Sequence, residues 1–403
     1  MQYCLKHLPK IFQILKKELR LAIIYSGHSK KRDAVLYETY NTRPWKSYAS
    51  VAEGISQSLQ GIGFEHVYLI PDDLHMIERL RKNRIHMAWL NTAGVQGRHS
   101  ICHASAMLEM LGVPYLGHDP LASSVMDNKV AFKRMLRGLG INTAPFLVWD
   151  PLQPRYLDRD GPLFRQAFSE RDQPLLVKPA NGRASKLIFI VRTNAELNQA
   201  VEYVYEQTHN HVLIEEYLPG REFCVAAGPR LLHRFGRYRN LGKPFVFSHL
   251  ERRLSENELI FSSMDEKPID ASRANLLDAE IDRPIMQQLD YLATQICTRL
   301  GLTTLVRLDA RSNAEGELHV LEVNPKPDIS EPTEQYTSLV AMGLQSSGMS
   351  YRDLIITLLA SHLDYAFTFL PRCVKPVTDL LTKSGLQLQY GINSTVSAHV
   401  AEL

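Results

Sequence analysis

The stretch Leu305-Val-Arg-Leu-Asp-Ala-Arg311, followed by Leu318-His-Val-Leu-Glu-Val-Asn-Pro325, constrains this chain most. Each half is predicted to be a strand, because Leu305, Leu308, Val320, Leu321 and Val323 give it β-type apolar character. Ser312-Asn-Ala-Glu-Gly-Glu317 between them is turn chemistry. If the halves pair as a hairpin, Asp309, Glu322 and Asn324 converge. Glu322 and Asn324 are two apart, so on a strand they share a face. Two carboxylates and an amide oxygen are hard ligands suited to Mg²⁺, which also favours phosphate oxygens. Arg307 would share the face of Asp309 and could stabilise an anionic reacting group. The alternative is a surface hairpin with ordinary charges.

Strand and helix patterns alternate in the first part of the chain. Leu21 to Tyr25, His66 to Ile70 and His86 to Leu90 read as buried strands. Ser47 to Gly61 and Ser100 to Leu111 have helical spacing, the second stopped by Gly112. That alternation predicts a parallel sheet with crossover helices. The lack of G-x-G-x-x-G after the first strand argues against a Rossmann dinucleotide site. Ile11 to Leu19 could be a short amphipathic helix, packed on its own protein rather than on a membrane surface. Arg98, His99 and His103 stand near a helix start, where an anion could sit, although a solvated loop is the plainer reading.

Further on, the pattern changes to antiparallel strands with helices. Lys129 to Leu139, Ala195 to Glu206 and Pro284 to Leu300 read as helices. Leu175 to Pro179, Leu187 to Val191, His211 to Leu218 and Glu222 to Ala226 read as strands. Asp150 to Asp172 is a loop excursion. Gly236 to Asp270 reads as a long irregular loop, of the kind that forms lids.

Composition adds limits. The chain has 403 residues, 45% hydrophobic and 22% charged, enough for two or three globular domains. A net charge of +3 does not argue for nucleic acid. The five scattered cysteines form no CxxC pair, which fits reduced thiols in a cytoplasm. No apolar run reaches membrane-spanning length.

Several segments now align with a family. Met110 to Gly117, Met126 to Lys133, Val177-Lys-Pro179, Leu213 to Phe223 and the Arg307/Asp309/Glu322/Asn324 set occur in its order. On these the chain resembles D-alanine–D-alanine ligase, within the ATP-grasp superfamily, from about Leu21 to Ala360. The resemblance implies an α/β (α+β) ATP-grasp fold. An N-terminal extension would cover 1–20, a parallel-sheet preATP-grasp domain 21–125, a central lobe 126–222, a C-terminal lobe with the metal site 223–365, and a C-terminal extension 366–403. That extension has no counterpart in the family. It carries a weak helix from Val377 to Leu381 and could be an added module, a partner segment or a flexible tail.

The resemblance also implies roles. Lys129 and Lys178 would contact ATP phosphates, for which a compact ammonium is suited. Lys133, one turn on, reads as plain surface. Glu215, Glu216, Tyr217 and Leu218 match the hinge that reads adenine mostly through backbone groups, with the Glu216 side chain in solvent. Glu222 would take the ribose hydroxyls. Gly182 and Ser185 match the loop covering the phosphates. Asp309, Glu322 and Asn324 match the ligands of two Mg²⁺ ions, with Mn²⁺ a substitute, and Arg307 and Lys267 match the catalytic cations. Ser338 resembles the serine that holds the second substrate's carboxylate.

The expected activity is ATP-dependent joining of a small carboxylate to an amine through an acyl phosphate. A homodimer is compatible with this. A ligase for a different amino acid or carboxylate, or an ATP-binding regulatory protein without turnover, stays open. The departures fall mainly on the amino-acid side, although Arg183 and Ala184 also replace the family's serine pair in the phosphate loop. The first loop, Ser26-Gly-His-Ser-Lys-Lys-Arg-Asp33, lacks the family's ammonium-binding glutamate at its place, and the proline-glycine after the metal asparagine is replaced by Pro327-Asp328.

Overall fold

The computed structural model describes residues 2–27, 45–153, 156–168, 173–182, 186–254, 258–261, 273–333 and 337–386. Helix α1 (Gln2–Glu18) leads into β1 (Arg20–Tyr25). Then come α2 (Trp45–Ile62), β2 (His66–Pro71), α3 (Met76–Lys82), β3 (Met87–Asn91), α4 (His103–Leu111) and β4 (Tyr115–Leu116). The four strands form a parallel sheet in the order β2-β1-β3-β4. Leu21, Ala22, Ile23 and Ile24 of β1 are all fully buried, as expected for a strand covered on both faces. The chain lays β2 on one side of β1 and β3 on the other. The switch point of this sheet therefore lies between the carboxyl ends of β1 and β3, where open α/β sheets bind ligands.

Next are α5 (Pro120–Asp127), α6 (Lys129–Gly138), β5 (Phe146–Trp149), α7 (Pro162–Ala167), β6 (Leu175–Pro179), β7 (Phe189–Val191), α8 (Asn194–Thr208) and β8 (Val212–Glu216). A single residue, Asn128, ends α5 and caps α6, its side chain accepting from the Ala131 N–H at 2.9 Å. The strands make an antiparallel sheet, β5-β8-β6-β7, with α8 packed on it through Leu197, Val201 and Val204.

The third region holds β9 (Glu222–Gly228), β10 (Leu231–Arg234), β11 (Arg237–Asn240), β12 (Phe245–Arg252), β13 (Ala274–Leu276), α9 (Arg283–Arg299), β14 (Val306–Ser312) and β15 (Leu318–Asn324). A five-stranded antiparallel sheet, β13-β12-β9-β14-β15, packs on α6 and α9 through Phe132, Leu136, Leu289, Ile296, Leu308 and Val320. The expected irregular loop from Gly236 to Asp270 is corrected here, because β11 and β12 lie inside it. The alternation in β12 is hidden by a bulge between Phe247 and Leu250, where Ser248 takes φ +56°. Residues 262–272 lie outside the described part of the chain.

Helices α10 (Tyr351–Phe369) and α11 (Lys375–Lys383) end the described chain. Val374, Val377 and Leu381 are fully buried in the same core as Leu8, Ile11 and Leu15 of α1. The extension up to residue 386 is thus neither a free tail nor an open partner segment. Among the described residues, no helix is long and apolar enough to cross a membrane. Leu381→Ala should lower unfolding free energy by about 2–5 kcal/mol, the cost of emptying a fully buried leucine site. Urea denaturation checks this, and a loss below about 0.5 kcal/mol, the range of a surface change, would show that α11 does not pack there.

Candidate active site

The four-stranded and five-stranded antiparallel sheets face each other across a cleft. Lys178 on β6 and Glu215 to Leu218 at the end of β8 line one wall. Glu222, Arg252, Asp309, Arg311 and Glu322 line the other, and Lys129 enters from the start of α6. The predicted hairpin is present: β14 and β15 pair antiparallel, with Asp309 opposite Glu322 and Arg307 opposite Asn324. A bulge next to Asp309 breaks strict alternation and turns both Leu321 and Glu322 toward the cleft.

Every acid on this wall meets a cation. Asp309 is 2% exposed and takes Arg307 in a fork, Nε and Nη2 each at 2.8 Å, plus Arg252 Nη2 at 2.7 Å. Arg252 also donates to Glu222 at 2.9 Å, and Arg311 lies 3.5 Å from the other Glu222 oxygen. Arg311 further donates to the Tyr217 hydroxyl at 2.9 Å. Glu322 faces Lys129 Nζ at 3.1 Å. Burial opposes the Glu322 charge, but Lys129, Lys178 and Arg307 outweigh it and hold its carboxyl at about 2. Lys129 Nζ also donates to the Gly182 carbonyl at 2.6 Å. A Cβ on Gly182 would come within 2.7 Å of the Pro179 ring, so glycine suits this close approach.

The donor set fits a hard divalent cation. The carboxylates of Asp309 and Glu322 stand on facing strands, on a wall that also carries the cations a bound ion would displace. Asn324 follows on the same hairpin, its Oδ1 accepting from the Lys326 N–H at 3.0 Å. Among the described residues no group of three or more His, Cys, Asp and Glu is placed to hold a metal. The candidate site is accordingly two carboxylates and an amide.

Behind the cleft lies a feature the sequence reading missed. Lys133 was expected at the surface, but it is fully buried. Its Nζ lies 3.0 Å from Glu215 Oε2 and 2.6 Å from Thr143 Oγ1, and the other Glu215 oxygen pairs with Lys178. Burial pushes Lys133 down to about 8, although Glu215 works against the fall. Burial likewise opposes the Glu215 charge, and Lys133 and Lys178 more than offset it, leaving its carboxyl below the ordinary value. Thr143 Oγ1 donates in turn to the Val320 carbonyl of β15 at 2.8 Å, so the chain of contacts reaches the metal hairpin. The available signal was spacing: Lys133 is four residues after Lys129 and shares its helix face. Arg252 and Arg311 were also missed, Arg252 because its strand was read as loop.

Other candidates are placed as follows. Glu216 and Tyr217 are half-buried and Leu218 is buried at the cleft. Ser338 is fully buried, its Oγ accepts from the Ala341 N–H at 3.1 Å, and it does not line the cleft. Ser185 and Lys267 lie outside the described residues. Arg98 donates to the His209 carbonyl at 3.3 Å rather than facing the helix start. Glu215→Gln would set Lys133 and Lys178 together without their shared carboxylate. It should cost about 3–5 kcal/mol in urea unfolding of the unliganded protein, the scale for breaking a buried pair.

The family described as D-ala D-ala ligase C-terminus matches residues 135–360. The chain is 27% identical over 343 residues to D-alanine–D-alanine ligase B of Pseudomonas putida, covering 85% of this chain and 92% of that protein. It is 29% identical over 260 residues to D-alanine–D-alanine ligase A of Salmonella typhimurium, 64% of each chain. Among solved structures, the Bacillus anthracis D-alanine–D-alanine ligase complexed with ATP superposes with a TM-score of 0.62 at 20% identity, over 86% of this chain and 98% of that one. The Coxiella burnetii enzyme gives 0.62 at 16% identity, over 92% and 99%. The fold is ATP-grasp, and, with more than half of its length matched, the chain belongs to the D-alanine–D-alanine ligase family.

Proposed function

We propose that this protein is an ATP-dependent carboxylate–amine ligase, forming an amide through an acyl phosphate and releasing ADP and phosphate. One observation carries the reading: a single cleft joins two lysines, Lys129 and Lys178, to the facing carboxylates Asp309 and Glu322. Cations for phosphate and hard oxygens for Mg²⁺ in one cleft are what phosphoryl transfer needs. Adenine lies against Glu215 to Leu218, with the ribose at Glu222. The phosphates reach toward Lys178, Lys129 and the loop at Gly182. Asp309, Glu322 and Asn324 would hold the metal, which would supply positive charge to the phosphates.

The chain's own groups do the rest. Glu215 holds Lys178 on the cleft wall, and Lys133 holds Glu215 from behind. Arg307 orients Asp309 through its fork and supplies positive charge where the tetrahedral oxyanion forms. No covalent nucleophile is required, because positioning and charge stabilisation suffice for this chemistry. The substrates are small molecules, and the need for ATP supports a cytoplasmic setting.

Glu322→Gln should cut ADP release by ~100-fold or more, the scale for losing a charge stabiliser at a transferring phosphoryl group. Melting temperature should stay within a few degrees, since the Glu322 side chain is 34% exposed. Near-normal turnover at saturating Mg²⁺ would refute the metal assignment. Arg307→Lys should bind Mg²⁺-ATP almost as wild type but turn over at least ~10-fold slower, because a point charge cannot reproduce the planar fork. Calorimetry beside ADP release decides it. If Arg307 is only the ion-pair partner of Asp309, the lysine variant keeps most of its activity.

A further inference from the structure

Arg252, the last residue of β12, bridges two acids on one wall of the cleft. Its Nη1 donates to Glu222 Oε1 at 2.9 Å, and its Nη2 lies 2.7 Å from Asp309 Oδ2. The bridge follows from strand order. Glu222 stands opposite Arg252 in the β9–β12 pair, and Asp309 is on β14 at the other side of β9. The arginine side chain is 9% exposed, and its Nε is buried without a hydrogen-bond partner. Buried donors are as a rule satisfied, so one left over on a cleft-lining arginine calls for a functional reason.

Arg311, the other guanidinium near Glu222, leans the opposite way. It donates to the Tyr217 hydroxyl at 2.9 Å and so stands on the hinge side of Glu222. Arg252 stands on the metal side. Ribose and the α-, β- and γ-phosphates are joined in that order. With the sugar at Glu222 and the β- and γ-phosphates at the metal hairpin, the α-phosphate falls between Glu222 and Asp309, which is where Arg252 sits. Lys129 is placed further on, 3.1 Å from Glu322, and Lys178 is paired with Glu215 on the facing wall. A phosphate passing Glu222 and Asp309 alone would meet like charge. A guanidinium that pairs with both acids offsets this, and its planar fork has further N–H donors to offer an anion.

We propose that Arg252 is a nucleotide-binding residue that donates to an α-phosphate oxygen of ATP from the wall formed by the five-stranded sheet. This rests on the placement of ATP in the ligase reading and adds a residue to it. With the sugar fixed at Glu222 and the α-phosphate at Arg252, the rest of the triphosphate is aimed at Asp309 and Glu322.

The test uses the full chain in EDTA, so that no metal contributes. Adenosine, AMP and ADP are each titrated by calorimetry. AMP adds the α-phosphate to adenosine, and ADP adds the β-phosphate to AMP. AMP should bind wild type at least about tenfold tighter than adenosine, and Arg252→Gln should erase most of that step. Adenosine affinity and the step from AMP to ADP should each stay within about threefold of wild type. If the glutamine variant does not fold, Arg252→Lys takes its place, with a smaller AMP step because a point charge lacks the fork. A wild type that binds AMP no tighter than adenosine, or a folded variant that keeps the full AMP step, overturns the proposal. Equal weakening of adenosine and AMP also overturns it, since Arg252 would then only position Glu222. ADP release with a panel of carboxylates and amines is followed in parallel on wild type. Its absence throughout, with the AMP step present in wild type and lost in the variant, counts against the ligase reading and not against Arg252.

Discussion

Two carboxylates that face each other across one strand pair set the terms for this cleft. Asp309 and Glu322 are neighbours only because β14 and β15 pair in one register. Each is paired with cations: Asp309 with Arg307 and Arg252, Glu322 with Lys129. Those cations come from a helix start, a central strand and the hairpin itself. A one-residue slip of the hairpin would turn these side chains to the opposite face. The apolar residues of β14 and β15 that pack on α6 and α9 oppose such a slip. Packing on one face of the sheet thereby fixes chemistry on the other.

The same logic extends behind the cleft. Lys178 is a poor candidate for an ordered phosphate contact on its own, because a lysine stem has many rotamers to lose. Glu215 removes that freedom, and Lys133 holds Glu215 in turn. An isolated buried ion pair gives little net stability. Its value here is that each member has one allowed place, and Thr143 ties the series to β15.

How much of this could be read from residues alone follows the range of the interactions. The hairpin was legible because apolar alternation and a polar turn are local signals. The parallel sheet was legible for the same reason in β1, β2 and β3. Strand β12 was not, since the bulge at Ser248 puts its alternation out of phase. With β12 went Arg252, the cation between Glu222 and Asp309. Lys133 was taken for surface because nothing near it in sequence shows that Glu215 waits beneath the helix. Lys326 reaches Asn91 on β3 and Tyr48 on α2, partners far away in sequence.

The packing of α11 against α1 carries a consequence for how the protein is made. The core beneath the first sheet is finished by side chains of α10 and α11, from the other end of the described chain. A chain emerging from the ribosome can form β1 to β4 early, but α1 then exposes Leu8, Ile11 and Leu15 until the last helices arrive. The central sheets, whose cores draw on nearer segments, can settle first. The amino-terminal region should therefore be the last to consolidate, and the stretch most in need of a chaperone during synthesis.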